Sequence, residues 1–137
     1  MRSAIYPLTV QFGDCDPAGI VFYPNYYRWF DAATHHLFAE AGFGWDRLRS
    51  DFGVVGMPLL ETGARYQGPA RFGDRLAIES SIAECGRKAI RIRHLVKRGD
   101  DVLLEGFEVR VLSVPHPDDV KRERALELSD EIRLALS

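Results

Sequence analysis

The sequence contains few cysteines, with only Cys15 and Cys85 among its 137 residues. Two cysteines do not make the disulfide framework that is typical of small secreted domains. The chain also has no apolar run near the roughly 18 residues that a membrane-spanning helix needs, and its N-terminus lacks the apolar segment of a secretory signal. These absences predict a cytoplasmic protein that does not enter a membrane.

The chain also lacks an excess of either charge, because 18 basic and 20 acidic residues leave a net charge of −2. A nearly neutral chain offers no electrostatic reason to expect nucleic acid or a membrane surface as its partner. Hydrophobic residues make up 46% of the sequence, which at this length is enough to bury one core. We therefore expect a single domain that spans residues 1–137.

The clearest pattern in the sequence is a helix that is apolar on most of its sides. Pro24 suits the first turn of a helix, where its missing N–H group would have no partner in any case. Gly42 is typical of a helix end. Apolar residues between them recur at spacings of three and four, and they are Tyr26, Phe30, Ala33, Leu37 and Ala41. Such a helix must be covered on several sides, and a second, short helix is expected near residues 45–53.

Alternating segments before and after this helix predict five antiparallel strands. The first is expected at residues 4–12, and the last is expected to run from about residue 102 to Val114, where Pro115 closes it. The sequence RGDD at residues 98–101 is a hairpin signal, and Ser129 can cap a short C-terminal helix. A curved antiparallel sheet around the apolar helix would bury it, which predicts an α+β fold.

The stretch GDCDPAGIVFYPN, at residues 13–25, raises three hypotheses about a functional site. A metal site is disfavoured because Asp14, Cys15 and Asp16 are consecutive, which rarely produces tetrahedral coordination. The adjacent His35 and His36 would point in directions about 100° apart on a helix, and no spacing typical of zinc ligands occurs. We therefore expect neither a metal nor another cofactor.

A nucleophilic thiol is the second hypothesis. A reactive cysteine needs a nearby cation, a helix N-terminus or a metal to favour its thiolate. Cys15 instead lies between two carboxylates, which oppose formation of a thiolate. A role as a small buried filler is therefore favoured for Cys15.

The third hypothesis is a carboxylate, Asp16, that acts at the start of the helix. Pro17 favours an extended backbone at Asp16, and the helix start near Tyr23 offers free N–H groups and the positive end of the helix dipole. A carboxylate that faces such N–H groups suits acyl transfer, because the N–H groups hold the developing oxyanion. From spacing alone, an aspartate that only caps a loop is the commoner explanation.

The stretch FGDCDPAGIVFYPNYYRWFDAA, with the later blocks VVGMPLL, GRKAIRIRH and RALEL, resembles hotdog-fold acyl-CoA thioesterases of the 4-hydroxybenzoyl-CoA thioesterase type. The resemblance covers nearly the whole chain. It implies a hotdog fold, in which a five-stranded antiparallel sheet wraps around a long central helix, and assembly into a dimer or a tetramer. It also implies that Asp16 is the catalytic nucleophile or general base, and that the N–H of Tyr23 polarises the thioester carbonyl.

The same resemblance implies which residues bind substrate. Four residues match positions that contact CoA, namely Gly86, Arg87, Lys88 and Arg124. Four others match the wall of the acyl pocket, namely Trp45, Met57, Pro58 and Leu59. Gly86 replaces an arginine of the family and Met57 replaces a threonine. Asp31 matches the position that meets the 4-hydroxyl of an aromatic acyl group, and an ion pair with Arg28 or His35 on the same helix is the alternative.

The activity expected from the resemblance is hydrolysis of an acyl-CoA thioester to the free acid and CoA, with an aromatic acyl group favoured. Two alternatives remain open. The first is a thioesterase for short-chain acyl-CoA or for acyl-carrier protein, and the second is an acyl-CoA-binding protein without catalysis. The expected partners are the acyl-CoA substrate and further copies of the same chain.

Overall fold

A computed structural model describes residues 1–137 and contains seven strands and three α-helices. The strands are β1 (Ser3–Thr9), β2 (Leu59–Tyr66), β3 (Arg75–Cys85), β4 (Ile90–Arg98), β5 (Asp101–Arg110), β6 (Ser113–His116) and β7 (Asp119–Ala125). The helices are α1 (Pro24–Glu40), α2 (Trp45–Phe52) and α3 (Asp130–Leu136). None of the helices combines the length and the apolar character that crossing a membrane would require.

Five of the strands form one antiparallel sheet in the order β1-β3-β4-β5-β2. The prediction of a five-stranded antiparallel sheet in an α+β fold is therefore confirmed. Strand β1 lies at one edge, where the missing N–H of Pro7 is tolerated. The turn between β4 and β5 has Gly99 at a φ of +61°, which suits a glycine, so the RGDD hairpin is also confirmed.

Helix α1 buries its apolar side chains against the sheet. Its buried residues are Tyr26, Trp29, Phe30, Ala33, Thr34, Leu37 and Phe38. The helix begins at Pro24, as predicted, and ends two residues before Gly42, which has a φ of +87°. On β5, Gly106 lies directly under Phe30, because a Cβ atom at this position would be 2.5 Å from the aromatic ring. This close approach holds α1 near the middle of the sheet.

The region after β5 differs from the prediction. Strand β5 ends at Arg110 and does not continue to Val114, and β6 and β7 form a separate hairpin. The reason is a change of backbone partner. Ser113 donates its N–H to the carbonyl oxygen of Gly56 at 2.8 Å and accepts from the N–H of Val55 at 2.8 Å. These residues lie far away in the sequence, so the alternating pattern alone does not reveal the break.

Two smaller elements can also be compared with the prediction. The first strand is shorter than residues 4–12, because Phe12–Asp14 forms a single 3-10 turn. Ser129 caps α3 as predicted, since its Oγ accepts a hydrogen bond of 3.2 Å from the N–H of Ile132.

Candidate active site

The loop that contains Asp16 is a tight turn closed by backbone hydrogen bonds. The N–H of Asp16 donates to the carbonyl oxygen of Ile20 at 2.9 Å, and Gly19, at a φ of +81°, donates to the carbonyl oxygen of Asp16 at 2.9 Å. The carboxylate Oδ1 of Asp16 accepts a hydrogen bond of 2.9 Å from the N–H of Ala18, whereas Oδ2 has no partner in the chain. The side chain therefore caps its own turn and still keeps one carboxylate oxygen free.

Asp14 ties this loop to the first turn of α1. Its carbonyl oxygen accepts hydrogen bonds from the N–H of Phe22 at 2.9 Å and from Nδ2 of Asn25 at 2.8 Å. Its carboxylate lies 3.0 Å from Nη2 of Arg28. The loop that contains Asp16 is therefore held at the N-terminus of α1.

The N–H of Tyr23, immediately before α1, donates no hydrogen bond. The next residue, Pro24, has no N–H group, and the N–H groups of Asn25 and Tyr26 are paired with the carbonyl oxygens of Phe22 and Tyr23. Tyr23 therefore provides the free backbone N–H at the positive end of the α1 dipole. Its side chain is exposed, so an incoming group can approach this end of the helix.

Cys15 is half-buried and packs against the apolar cluster that includes Val21 and Tyr26. Its Sγ lies 3.8 Å from the carbonyl oxygen of Gln11, and it pairs with no histidine that could act as its base. No group of three or more His, Cys, Asp or Glu side chains is arranged to hold a metal ion. The geometry therefore favours Asp16 over Cys15 as the reactive group of this loop.

A cavity of about 560 Å³ lies further along α1, between this helix, α2 and the segment that precedes β2. Its lining residues are Asp31, His35, Trp45, Val55, Gly56, Met57 and Arg110. The fold thus brings together Asp31, Trp45 and Met57, which were predicted from the resemblance to contact the acyl group. Pro58 and Leu59 follow directly in the chain, but both are exposed and do not line this cavity.

Asp16 does not line this cavity. The Asp16 loop contacts the N-terminus of α1, whereas Asp31 lies seven positions after Pro24. At the helical rise per residue, this is a separation of about 10 Å along the helix axis. The Asp16 loop and the cavity are therefore two separate features of a single chain.

The partner of Asp31 is Arg110 on β5, 79 positions later in the chain. Nη2 of Arg110 lies 2.9 Å from Oδ1 of Asp31, and Nε2 of His35 lies 3.8 Å from the same oxygen. The alternative ion pair between Asp31 and Arg28 does not form, because Arg28 contacts Asp14 instead. Arg110 was not predicted, since nothing in the helix pattern indicates a partner from the sheet.

Arg110 belongs to a group of buried polar side chains that we call the buried network, which consists of Thr34, Ser80, His94, Glu108 and Arg110. None of the five is more than 4% exposed. Nη2 of Arg110 lies 2.6 Å from Oε2 of Glu108, and Oε1 of Glu108 lies 3.0 Å from Nε2 of His94 and also accepts from Thr34. Nδ1 of His94 lies 2.7 Å from Oγ of Ser80. The network crosses the interface between α1 and the sheet.

Both charged groups of the network are stabilised by their partners. Burial acts to raise the pKa of Glu108, but hydrogen bonds with His94, Arg110 and Thr34 outweigh burial and lower this pKa to about 2. Burial acts to lower the pKa of Arg110, but the hydrogen bond and the charge of Glu108 raise it. Glu108 and Arg110 are therefore both charged at neutral pH.

The sequence contains a signal for the buried network. On β5, Leu104, Gly106, Glu108 and Arg110 alternate on the buried face of the sheet. Charged residues at such positions are expected to be paired. The strand register sets His94 opposite Gly106, and this register is visible only in the folded sheet.

The residues predicted to contact CoA are Gly86, Arg87, Lys88 and Arg124. The first three form the turn between β3 and β4, and the fourth lies on β7. Arg87 binds the segment after β7, because it pairs with Glu127 at 3.5 Å and its carbonyl oxygen accepts from the N–H of Leu128 at 2.9 Å. Arg87 and Arg124 are exposed and Lys88 is half-buried. The turn therefore contacts the segment after β7, and the side chains of Arg87 and Arg124 in this region are exposed to solvent.

Comparison with known sequences identifies the family. Residues 10–136 match the profile of the thioesterase-like superfamily. The chain is 39% identical, over an alignment of 140 positions, to the 4-hydroxybenzoyl-CoA thioesterase of Pseudomonas sp. (strain CBS-3), and the alignment covers 97% of each chain.

Comparison with solved structures identifies the same family. A mutant of a 4-hydroxybenzoyl-CoA thioesterase, in complex with 4-hydroxybenzoyl-CoA, is similar with a TM-score of 0.89 and 36% identity over 100% of both chains. A gentisyl-coenzyme A thioesterase is similar with a TM-score of 0.81 and 34% identity over 97% of this chain and 98% of that one. The family predicted from the motif is therefore confirmed, and the chain belongs to the thioesterase-like superfamily as a thioester hydrolase with the hotdog fold.

Proposed function

We propose that this protein hydrolyses acyl-CoA thioesters with an aromatic acyl group and releases the carboxylic acid and CoA. The proposal depends on the free Oδ2 of Asp16, which belongs to a loop held at the start of α1, where the N–H of Tyr23 has no partner. A free carboxylate oxygen and a free N–H at a helix N-terminus are the two groups that this reaction uses.

In the proposed mechanism, the thioester carbonyl oxygen accepts a hydrogen bond from the N–H of Tyr23. The negative charge that develops on this oxygen is stabilised by the N–H and by the α1 dipole. Asp16 acts in one of two ways. As a nucleophile, its carboxylate attacks the carbonyl carbon, the CoA thiolate leaves, and water hydrolyses the mixed anhydride. As a general base, Asp16 takes a proton from water, the hydroxide attacks the same carbon, and the proton passes to the departing thiolate.

The CoA part of the substrate is assigned to the end of the molecule where β7 meets the turn between β3 and β4. Arg87 and Arg124 present exposed guanidinium groups, which suit the oxygens of phosphate groups. Lys88 adds a third cation beside Arg87. Gly86 contributes no side chain, so we expect one phosphate contact fewer than in relatives that have an arginine there.

The acyl group is assigned to the cavity around Asp31. Trp45 provides a flat apolar wall and Met57 an adaptable one, which suits an aromatic ring. We assign Pro58 and Leu59, which are exposed in the single chain, to the outer wall of the same pocket.

The proposal includes a homodimer or a homotetramer, with α1 as the central helix around which the sheet curves. At the edge strand β2, Leu60 and Tyr66 are exposed and one row of backbone groups is unpaired within the chain. A second copy that pairs with this edge would satisfy these groups. Because Asp16 and the cavity around Asp31 are separate in one chain, each active site would combine the Asp16 loop of one protomer with the cavity of its partner.

The proposed function is tested with a panel of CoA thioesters, namely benzoyl, 4-hydroxybenzoyl, phenylacetyl and a short aliphatic acyl group. Release of CoA is followed with a reagent for free thiols. We expect the aromatic substrates to have the highest kcat/KM. A preference for the aliphatic substrate would contradict the aromatic proposal and favour a short-chain or acyl-carrier-protein thioesterase. Tight binding without hydrolysis would identify a non-catalytic acyl-CoA-binding protein.

A further inference from the structure

We propose that Arg110 is a positioning residue for substrate selection, which holds the carboxylate of Asp31 so that one of its oxygens stays free for a hydroxyl group of the acyl substrate. This inference rests on the proposed function and deepens it. The contact between Asp31 and a hydroxyl of an aromatic acyl group is what the resemblance to the family implies, and the new element is the role of Arg110 in positioning Asp31 for that contact.

The contact between Arg110 and Asp31 uses only one carboxylate oxygen. Nη2 of Arg110 lies 2.9 Å from Oδ1 of Asp31, and His35 approaches the same oxygen. Oδ2 of Asp31 has no partner within the chain, and the side chain is 54% exposed where it lines the cavity. An ion pair with Arg110 and a hydrogen bond from a substrate hydroxyl can therefore exist at the same time.

The guanidinium of Arg110 cannot shift together with the carboxylate of Asp31, because it also donates hydrogen bonds to other groups. Nη1 donates a hydrogen bond of 2.7 Å to the carbonyl oxygen of Met57, and Nη2 donates one of 2.6 Å to Glu108. Met57 lies on the segment before β2 and Asp31 lies on α1, and both residues line the cavity. Arg110 therefore sets the position of Asp31 relative to the backbone at Met57.

Glu108, in turn, is held by the rest of the buried network. His94 and Thr34 bind its Oε1, and the imidazole of His94 stacks on the ring of Phe30 with the ring centres 4.7 Å apart and the planes inclined by 3°. Thr34 and Phe30 belong to α1, the same helix as Asp31. The network therefore links Arg110 directly to α1, the helix that carries Asp31.

The charges at this end of the cavity favour a hydrogen-bond donor. The positive charge of Arg110 is paired with the carboxylates of Asp31 and Glu108, and the oxygen that stays free in the cavity belongs to the carboxylate of Asp31. A neutral hydroxyl can donate to the free oxygen of Asp31, but an anionic group at the same position would be repelled. We expect kcat/KM to fall in the order 4-hydroxybenzoyl, benzoyl, 4-carboxybenzoyl.

The test compares Arg110→Lys with Arg93→Lys as a matched control. Arg93 pairs with Glu105 at 2.9 Å on the exposed face of the sheet, away from the cavity. The readout is the ratio of kcat/KM for 4-hydroxybenzoyl-CoA to that for benzoyl-CoA. Calorimetry with the corresponding non-hydrolysable thioethers, which have a CH2 group between the carbonyl and the sulfur, gives the same ratio for binding alone.

We expect a ratio of more than about tenfold for the wild type. When benzoyl-CoA is bound, the free oxygen of Asp31 has no hydroxyl to accept from, and an unpaired acceptor in the pocket weakens binding. Arg110→Lys should lower the ratio at least about threefold, and Arg93→Lys should not change it. In an Asp31→Asn background, Arg110→Lys should have no further effect on the ratio, because Arg110 acts through Asp31. A purely structural role would lower the activity on both substrates equally.

If Arg110→Lys does not fold, Glu108→Gln is measured against the same criteria. This variant keeps Arg110 but replaces its ion pair with Glu108 by a weaker hydrogen bond. A folded variant that retains the wild-type ratio in both hydrolysis and binding would overturn the proposal. The proposal would also be overturned if Arg110→Lys still changed the ratio of the two kcat/KM values in the Asp31→Asn background. A wild type that hydrolyses neither thioester would contradict the proposed function, whereas the calorimetric ratio would still decide the role of Arg110.

Discussion

The side chain of Asn25 donates a hydrogen bond of 2.8 Å to the carbonyl oxygen of Asp14. This bond joins the first turn of α1 to the loop that contains Asp16. The N–H of Phe22 shares the same acceptor, so the loop is held at the helix by two donors. The position of the Asp16 carboxylate relative to the N-terminus of α1 therefore depends on Asn25.

Replacing Asn25 with alanine should reduce kcat by about tenfold, because small misplacements of a catalytic group are costly in rate. The effect on KM should be small, since Asn25 contacts neither the cavity nor the cations assigned to CoA. The measurement is steady-state kinetics with benzoyl-CoA, with Gln67→Ala, at an exposed position, as the control. An unchanged kcat in Asn25→Ala would show that the loop keeps its position without this bond.

Replacing Asp16 with asparagine should leave the fold intact and lower turnover by at least about 100-fold, as is usual for a nucleophile or an essential base. The asparagine can still accept from the N–H of Ala18, so the turn should persist. Cys15→Ala, at the neighbouring position, is the control and should keep most of the activity. An inactive Cys15→Ala variant together with an active Asp16→Asn variant would show that the thiol is the reactive group.

The buried network should make stability depend on pH in acid. The pKa of Glu108 is about 2 in the folded protein, against an ordinary value of 4.5. Between these values the unfolded chain binds more protons, so the free energy of unfolding should fall as the pH falls from about 5 to 2. The ionised Glu108 should contribute on the order of 3 kcal/mol to the free energy of unfolding. This contribution is fully present above about pH 5.

Urea unfolding of the wild type and of Glu108→Gln over this pH range tests the prediction. The variant should be less stable at pH 7 by about 3 to 5 kcal/mol, because Arg110 loses its buried partner. It should also lose less stability than the wild type on acidification. Parallel curves for the two proteins would show that Glu108 does not cause the pH dependence.

The protein should sediment as a dimer or a tetramer, since the edge strand β2 is exposed and the proposed site needs two protomers. Leu60→Lys on β2 should shift the protein toward the monomer. The activity should fall in parallel with the dissociation, because the proposed site needs two protomers. Leu134→Lys, at an exposed position of α3, is the matched control and should do neither. A dilute wild-type sample that is monomeric and fully active would exclude a shared site.

The sequence by itself determined the features that depend on local chemistry. Pro24 marks the start of α1, Gly99 marks the turn between β4 and β5, and Ser129 caps α3, because each conformation is favoured by the residue that adopts it. The motif around Asp16 also identified the family, since its residues are contiguous. These features needed no information about distant parts of the chain.

Only the tertiary structure decided which distant residues meet. The pair between Arg110 and Asp31 joins positions 79 residues apart, and the separate hairpin of β6 and β7 forms because Ser113 bonds to Gly56. Side-chain alternation shows which face of a strand is buried but not which strand or helix lies opposite. The buried network and the shape of the cavity therefore follow from the strand order and the register, which the chain specifies only when all of its elements pack together.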